Sequence, residues 1–156
     1  RYSYTDAVDL TLKIDRSIYD GPGEHLLYES FLGDTIARNV FKTQFVQDLS
    51  QTLNMSFNRI YVLNITQGDV HYSWLAKSVI VYFQFREKNS SASSLEPTTL
   101  EAVNNLTTLI QNKDSILYQG LVTDTTDAYW GLQAVSWDCF GIAWSLRPEI
   151  TNPAAR

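Results

Sequence analysis

Histidine and cysteine are scarce in this sequence, and their scarcity limits the chemistry that its side chains can perform. The two histidines are His25 and His71, and the one cysteine is Cys139. Asp69, His71 and Ser73 lie close together in sequence, but a hydrolase triad must meet in space and neither histidine lies in a nucleophile motif. Two separated histidines and one cysteine match no zinc spacing, and the sequence contains no Asp-rich calcium loop. We predict no catalytic residue, no cofactor and no metal.

The charge balance is acidic, with 17 Asp and Glu against 12 Lys and Arg and a formal net charge of −5. Neighbouring carboxylates such as Asp124 and Asp127 support acid–base chemistry only where they converge on a pocket. Without a pocket they are typical of solvated turns. An acidic chain is a poor partner for nucleic acid, which requires a basic face. No run of 18 apolar residues occurs, so we predict no insertion into a membrane.

Four asparagines match the Asn-x-Ser/Thr acceptor pattern of N-glycosylation, where chance predicts roughly one or two. They are Asn54, Asn64, Asn89 and Asn105. The Ser- and Thr-rich run at 89–99 suits O-glycosylation, although a flexible loop is the favoured interpretation. The single cysteine by itself favours an intracellular protein, whereas the acceptor sites favour secretion. We expect covalent glycans and an extracellular or cell-surface location.

Two segments of strong β character, Arg59–Thr66 and Lys77–Arg86, are predicted to form strands. The other elements are expected to pack around this pair and to position the sites described above. The first is rich in β-branched and aromatic residues, which suit a pleated, half-buried surface. The second alternates, and side chains of a strand point alternately to opposite faces. Its apolar face consists of Val79, Val81, Phe83 and Phe85. The pattern predicts a pair of strands joined by a wide turn, with helices covering the apolar face.

Helical patterns flank this strand pair. The first runs over Thr35–Leu53, with Asp34 or Thr35 as its cap and a stripe at spacings of three to five. The stripe consists of Ile36, Val40, Phe41, Phe45, Leu49 and Leu53. The second begins at the capping box Thr98–Glu101 and continues to about residue 112. Its stripe includes Leu100, Val103, Leu106 or Thr107, and Ile110. A third strand is predicted over Leu121–Thr126.

The N-terminal residues 4–15 alternate in the plainest strand pattern of the chain. Their apolar face consists of Val8, Leu10, Leu12 and Ile14, and their polar face is expected to meet water or sugar. A joint of about twenty residues with Gly and Pro breakers follows, which is long for a compact domain. Short strands are also predicted at 134–137 and 142–146, within an aromatic-rich tail. We therefore divide the chain into an arm and joint at 1–34, a body at 35–126 and a C-terminal β extension at 127–156.

The order helix, strand, strand, helix, strand resembles the SEA domain, a family of extracellular modules. The segments that carry the resemblance are FVQDL at 45–49, RIYVLNI at 59–65 followed by Gly68, SVIVYF at 78–83 and LYQGLVT at 117–123. The resemblance covers somewhat more than half of the chain. It implies a ferredoxin-like α+β sandwich in which two helices lie on an antiparallel sheet.

Many members of that family cleave themselves at a Gly-Ser-Val-Val-Val turn, where the Ser hydroxyl attacks the preceding strained peptide. Ser78 occupies the matching position, but Lys77 stands where the family has Gly. Glycine is the natural residue for a strained, tightly turned backbone. We expect no self-cleavage, and Ser78 is then a strand residue.

Two functions stay open. The first is a non-enzymatic, self-assembling structural glycoprotein of the cell surface. In it, Val8, Leu10, Leu12 and Ile14 of one copy enter an edge or groove of the next, in a head-to-tail filament. The second is a monomeric SEA-like adhesion or spacer module of a membrane-anchored glycoprotein, which binds glycans through Tyr72, Trp74 and Trp130. In that interpretation the N-terminal segment folds back as an ordinary edge strand.

Overall fold

Two helices lie on one face of an antiparallel sheet in the computed structural model, which describes residues 7–15, 35–68, 70–71, 75–76, 78–88, 95–137 and 143–145. The elements in chain order are β1 (Val8–Ile14), α1 (Thr35–Leu53), β2 (Ile60–Gln67), β3 (Val70–His71), β4 (Leu75–Ala76), β5 (Val79–Phe85), α2 (Thr99–Gln111), β6 (Gln133–Trp137) and β7 (Ala143–Ser145). The main sheet has the order β2-β5-β1-β6-β7, and β3 and β4 form a separate small hairpin. The predicted α+β class is confirmed.

The predicted strand pair is confirmed as β2 and β5, which run antiparallel from Ile60 opposite Phe85 to Gln67 opposite Val79. A bulge interrupts the register between Val62 and Asn64. Burial alternates along β5 as the sequence predicts, with the four residues of its apolar face buried. The wide turn between the strands contains the β3–β4 hairpin.

The N-terminal strand lies inside the sheet. β1 pairs with β5 over its whole length, from Val8 opposite Phe85 to Ile14 opposite Val79. On its other side it pairs with β6, where Leu10 faces Ala134 and Thr11 faces Gln133. The alternative in which this segment is an edge strand is therefore wrong, because β1 lies between β5 and β6. Strands from all three predicted segments share one sheet, and the division at residues 34 and 126 stays a prediction.

The polar face of β1 is more buried than the sequence predicts. Thr11 and Lys13, which were expected to meet water or sugar, are 4% and 3% exposed. The segment before β6 runs beside the end of β1 and brings the Asp127 carboxylate to 3.2 Å from the Lys13 ammonium. Asp127 donates its N–H to the carbonyl of Lys13 at 2.9 Å, and Asp15 donates to the carbonyl of Thr125 at 2.8 Å.

The bounds of α1 agree with the sequence, and so does most of its buried stripe. Phe41, Phe45, Leu49 and Leu53 are buried, whereas Val40 is 50% exposed. The N-terminal cap and Ile36 lie outside the described side chains. The helix ends at Asn54, whose φ of 56° is left-handed. There the Met55 N–H reaches back to the Ser50 carbonyl at 3.1 Å, the bond that closes a Schellman motif.

The capping box of α2 is confirmed. Glu101 donates its N–H to Thr98 Oγ1, and Thr98 donates its N–H to Glu101 Oε1. The buried stripe contains Ala102 instead of Leu100, which is 44% exposed.

The strand predicted over Leu121–Thr126 is wrong. A 3₁₀ turn occupies Thr123–Thr125, and only Thr126 forms a bridge, to Ile14. The predicted C-terminal strands are confirmed as β6 and β7. The helices and the apolar faces of β1, β2 and β5 enclose one core.

Candidate functional site

The first candidate site is the position of β1 within the sheet, which we name the seat of β1. In the described part of the chain it has the most extensive combination of polar and apolar contacts. Its four apolar side chains are each no more than 1% exposed and contribute to the main core. Its other face carries a buried cation, because the Nζ of Lys13 lies 3.2 Å from Oδ2 of Asp127 and 3.7 Å from Oδ1 of Asp15. Apolar contacts on one face and ion pairs on the other therefore fix β1 in the sheet.

The environment of Asp127 favours the ionised form of its carboxyl group. Burial alone raises its pKa, but hydrogen bonds from the Trp130 N–H and from Lys13, the charge of Lys13 and the Tyr129 N–H together hold the pKa below its ordinary value. The two backbone N–H groups lie 3.1 and 2.9 Å from Oδ1. A carboxylate that accepts several N–H bonds is favoured in its charged form. The pair thus ties β1 to the segment that enters β6.

A second buried carboxylate fastens α1 to the turns that follow α2. Asp48 is 4% exposed and accepts the backbone N–H groups of Leu121, Val122 and Thr123 at 2.8 to 3.1 Å. Gly120 makes the approach possible, since an added Cβ there would stand 2.6 Å from Asp48 Oδ2. Sequence reasoning missed this contact. The indication in the sequence was the acidic Asp48 within the largely apolar segment FVQDL at 45–49.

A third buried charge lies where β2 and α2 begin. Arg59 is 2% exposed and donates Nη1 to Glu96 Oε1 at 3.2 Å and to the Pro97 carbonyl at 2.7 Å. Its Nε donates to the Arg86 carbonyl at 3.0 Å. The pKa of Glu96 is lowered, first by the hydrogen bond from the Ser56 hydroxyl, against which burial acts, and then by the Ser56 N–H and Arg59. No sequence pattern indicates this pair, because its partners are 37 residues apart.

Three of the predicted glycan acceptors are exposed: Asn54, Asn64 and Asn105. Asn64 Oδ1 accepts from Arg38 Nη2 at 3.1 Å and from the Ile65 N–H at 2.9 Å. An N-glycan is attached through the amide nitrogen, so these contacts leave the attachment atom available. Asn89 lies outside the described residues.

The residues considered for catalysis and glycan binding do not assemble into a described site. His25, Asp69, Tyr72, Ser73 and Trp74 lie outside the described residues, as does the side chain of His71. Ser78 is fully buried just before β5, and its carbonyl accepts the Gly68 N–H at 2.9 Å.

Trp130 has its indole nitrogen buried, whereas its neighbour Tyr129 is 55% exposed. Within the described residues, no group of three His, Cys, Asp or Glu side chains converges as metal ligands would.

An apolar groove runs between α1 and the edge strand β2. Its volume is about 360 Å³, and its lining is mostly apolar or neutral: Lys42, Thr43, Val46, Gln47, Phe57, Ile60, Tyr61 and Val62. Phe57 and Tyr61 are 63% and 51% exposed, which is high for such large apolar side chains. We name this surface the α1–β2 groove.

No protein family, curated protein or solved structure matches this chain. The resemblance to the SEA domain therefore stays a prediction. Among the described helices, none has the length and apolar character to cross a membrane.

Proposed function

We propose that the chain is a non-enzymatic structural glycoprotein of the cell surface, and that it assembles with copies of itself by exchanging β1. The observation that carries the proposal is the place of β1 in the sheet, between β5 and β6. A strand at that place completes the core. Whichever chain supplies it, the strand must present the same four buried side chains.

We call the position between β5 and β6 the slot. The free energy of apolar burial favours a slot that is filled by a strand. Each buried aliphatic side chain contributes roughly 1.5–3 kcal/mol, so four contribute on the order of 6–12 kcal/mol as an upper estimate. A chain without β1 would expose the core faces of Val81 and Phe83, which lie opposite Leu12 and Leu10. The same contacts and the same register form when a neighbour supplies the strand, so exchange costs little contact energy.

The connection between β1 and α1 supports exchange in a second way. Residues 15–34 separate the two elements, and a link of that length permits a strand to reach beyond its own body. Donation by each copy to the next is a heterologous contact, which generates an open filament unless the rotation closes into a ring. Glycans on exposed Asn54, Asn64 and Asn105 would then cover the outside of the assembly.

A monomeric adhesion or spacer module is the second candidate. The observation that favours it is the pairing of β1 with β5 and β6 of its own chain, which leaves no slot open. Exposed Tyr129 is an aromatic surface of the kind that stacks on sugars. The two candidates differ in whether assembly depends on concentration.

The proposal is tested on the full chain by light scattering after size-exclusion chromatography and by negative-stain microscopy over a range of concentrations. Filaments that lengthen with concentration are expected. A synthetic peptide of residues 5–15 should shorten them, because it competes for the slot. The same peptide with Leu10→Asp and Leu12→Asp serves as the matched control and should have no effect. A monodisperse monomer at every concentration contradicts the proposal and supports the monomeric module.

A further inference from the structure

We propose that the α1–β2 groove binds an extended peptide segment of a partner protein, in which apolar side chains alternate with carboxylates. The site is separate from the seat of β1, because β5 lies between β1 and β2. The inference therefore stands whether or not β1 is exchanged.

The shape of the groove fits a peptide side chain. Its volume of about 360 Å³ lies within the range typical of ligand pockets, roughly 300–1,000 Å³. Val46, Ile60 and Val62 give it an apolar floor, and Phe57 stands beside it largely exposed. An exposed aromatic residue at the rim of an apolar groove is typical of binding surfaces.

The edge of the sheet provides backbone hydrogen-bonding groups for the bound peptide. β2 is the outermost strand, and in the described part of the chain no strand pairs with its outer side. The Asn64 side chain occupies the Ile65 N–H at 2.9 Å, and the bulge between Val62 and Asn64 breaks the regular ladder. The bulge divides β2, and Ile60, Tyr61 and Val62, which precede it, are the part of the strand that lines the groove. An extended peptide needs only a short stretch of edge for strand addition.

The charge of this surface selects the partner. Across residues 35–68 the only acidic residue is Asp48, which is buried against residues 121–123, whereas Arg38 and Lys42 are basic. Arg59 is buried beside Glu96 and does not contribute to this surface. Lys42 lines the groove, and Arg38 lies one helical turn before it. The Arg86 guanidinium lies 4.4 Å from the centroid of the Tyr61 ring. A basic surface on a chain of net charge −5 favours a peptide that carries carboxylates.

A second copy of this chain is the less favourable occupant. Two β2 strands paired about a two-fold axis would bring the basic residues of both copies to one interface, and like charges that face each other destabilise a strand pair. The bulge in β2 further opposes pairing of edges.

The test uses the full chain and two fluorescein-labelled peptides, Asp-Leu-Asp-Val-Asp-Leu-Asp and its counterpart with Lys for Asp. Fluorescence anisotropy should show saturable binding of the acidic peptide with a Kd below about 1 mM, weakened by salt. Lys42→Glu should weaken binding by about three- to tenfold, because it replaces an attraction with a repulsion. Phe57→Ser should weaken it by about tenfold through lost apolar contact.

Lys113→Glu and Ile116→Ser are the matched controls, because both residues are exposed and neither lines the groove. Each should leave the Kd within about twofold. The proposal is overturned by equal binding of the basic peptide, by equal effects of Lys42→Glu and Lys113→Glu, or by no binding at about 1 mM. Dimers of the free chain that Lys42→Glu disrupts would also overturn it, since they would make a second copy the occupant.

Discussion

The ammonium of Lys13 lies 3.2 Å from Oδ2 of Asp127, and the two side chains are 4% and 13% exposed. Lys13 is on β1 and Asp127 precedes β6, so this pair joins two segments that are distant in sequence, on the face of the sheet opposite the helices. It holds β1 in place from the polar side while Val8, Leu10, Leu12 and Ile14 hold it from the core.

The substitution Asp127→Asn should lower the free energy of unfolding by about 1–3 kcal/mol, because it removes the ion pair and leaves the buried ammonium less compensated. Asparagine can still accept the N–H bonds of Tyr129 and Trp130. Urea denaturation at neutral pH measures the effect. The control is Asp114→Asn at an exposed position, which creates no acceptor motif and should change the free energy of unfolding by less than about 0.5 kcal/mol. Equal stability of Asp127→Asn and the parent chain would contradict this role.

The same pair predicts how stability depends on pH. The pKa of Asp127 is lower in the folded chain than its ordinary value of 3.8. Its contribution is therefore fully present above pH 3.8 and is lost as the pH falls below that value through the folded pKa. The difference in unfolding free energy between the parent chain and Asp127→Asn should accordingly shrink below pH 3.8, and a difference that grows there would refute the assignment.

Arg59 and Glu96 give a second prediction. Arg59→Met leaves the Glu96 carboxylate without its cation and should destabilise the fold by about 3 kcal/mol. Arg86→Met is the matched control, because Arg86 is exposed and should change stability by less than about 1 kcal/mol. Thermal and urea unfolding of both variants provide the measurement. Equal losses would mean that the buried pair has no special part in stability.

Gly120 gives a third prediction, because it lies against the Asp48 carboxylate. A Cβ at this position would stand 2.2 Å from Thr123 Oγ1. Gly120→Ala should therefore cost about 1–3 kcal/mol through overpacking, although its φ of −72° suits alanine. The neighbouring exposed Gln119→Ala should stay within about 0.5 kcal/mol. A neutral Gly120→Ala would show that the turn moves freely away from Asp48.

Local patterns predicted those parts of the fold in which one residue's neighbours in sequence decide its environment. The alternation of β5, the capping box of α2 and the bounds of α1 all follow from such patterns. The sequence could not predict that β1 is interior, because alternation reports one buried face and says nothing about strand order. It predicted the buried face of β1 but assigned Thr11 and Lys13 to water, since alternation cannot reveal that Lys13 meets Asp127, a residue distant in sequence.

The candidate site was predictable to a smaller extent. The acceptor asparagines follow from a three-residue motif, and three of them are exposed as the motif requires. Asp48, Lys13 and Arg59 had no such motif, because each meets a partner that is distant in sequence. Leu121–Thr126 has the composition of a strand, but the anchoring of its first three N–H groups to Asp48 replaces strand pairing with a turn.

The acceptor sites provide a fourth prediction. Asn54→Gly, Asn64→Gln and Asn105→Gln should each remove the mass of one N-glycan from protein secreted by a eukaryotic host, as intact-mass spectrometry would show. Glycine is chosen at position 54 because it retains the left-handed backbone. Ser56→Ala is avoided because the Ser56 hydroxyl donates to Glu96 at 2.6 Å. Unchanged masses in all three variants would contradict the extracellular assignment.

The central claim, that β1 is exchanged between copies, is tested most directly by cross-linking Asp9 to Gln84. These residues face each other across β1 and β5, and Gln84 Nε2 donates to Asp9 Oδ1 at 2.8 Å. Paired residues of this kind have Cβ atoms about 4.5–5.5 Å apart, within reach of a short bis-maleimide. In a Cys139→Ser background, a tagged Asp9→Cys chain is assembled with an untagged Gln84→Cys chain. The control mixture pairs Asp9→Cys with Gln119→Cys.

We predict a covalent heterodimer from the Asp9→Cys and Gln84→Cys mixture and none from the control. A doubly substituted chain that cross-links only within itself at every concentration, together with no heterodimer from the mixture, would contradict strand exchange.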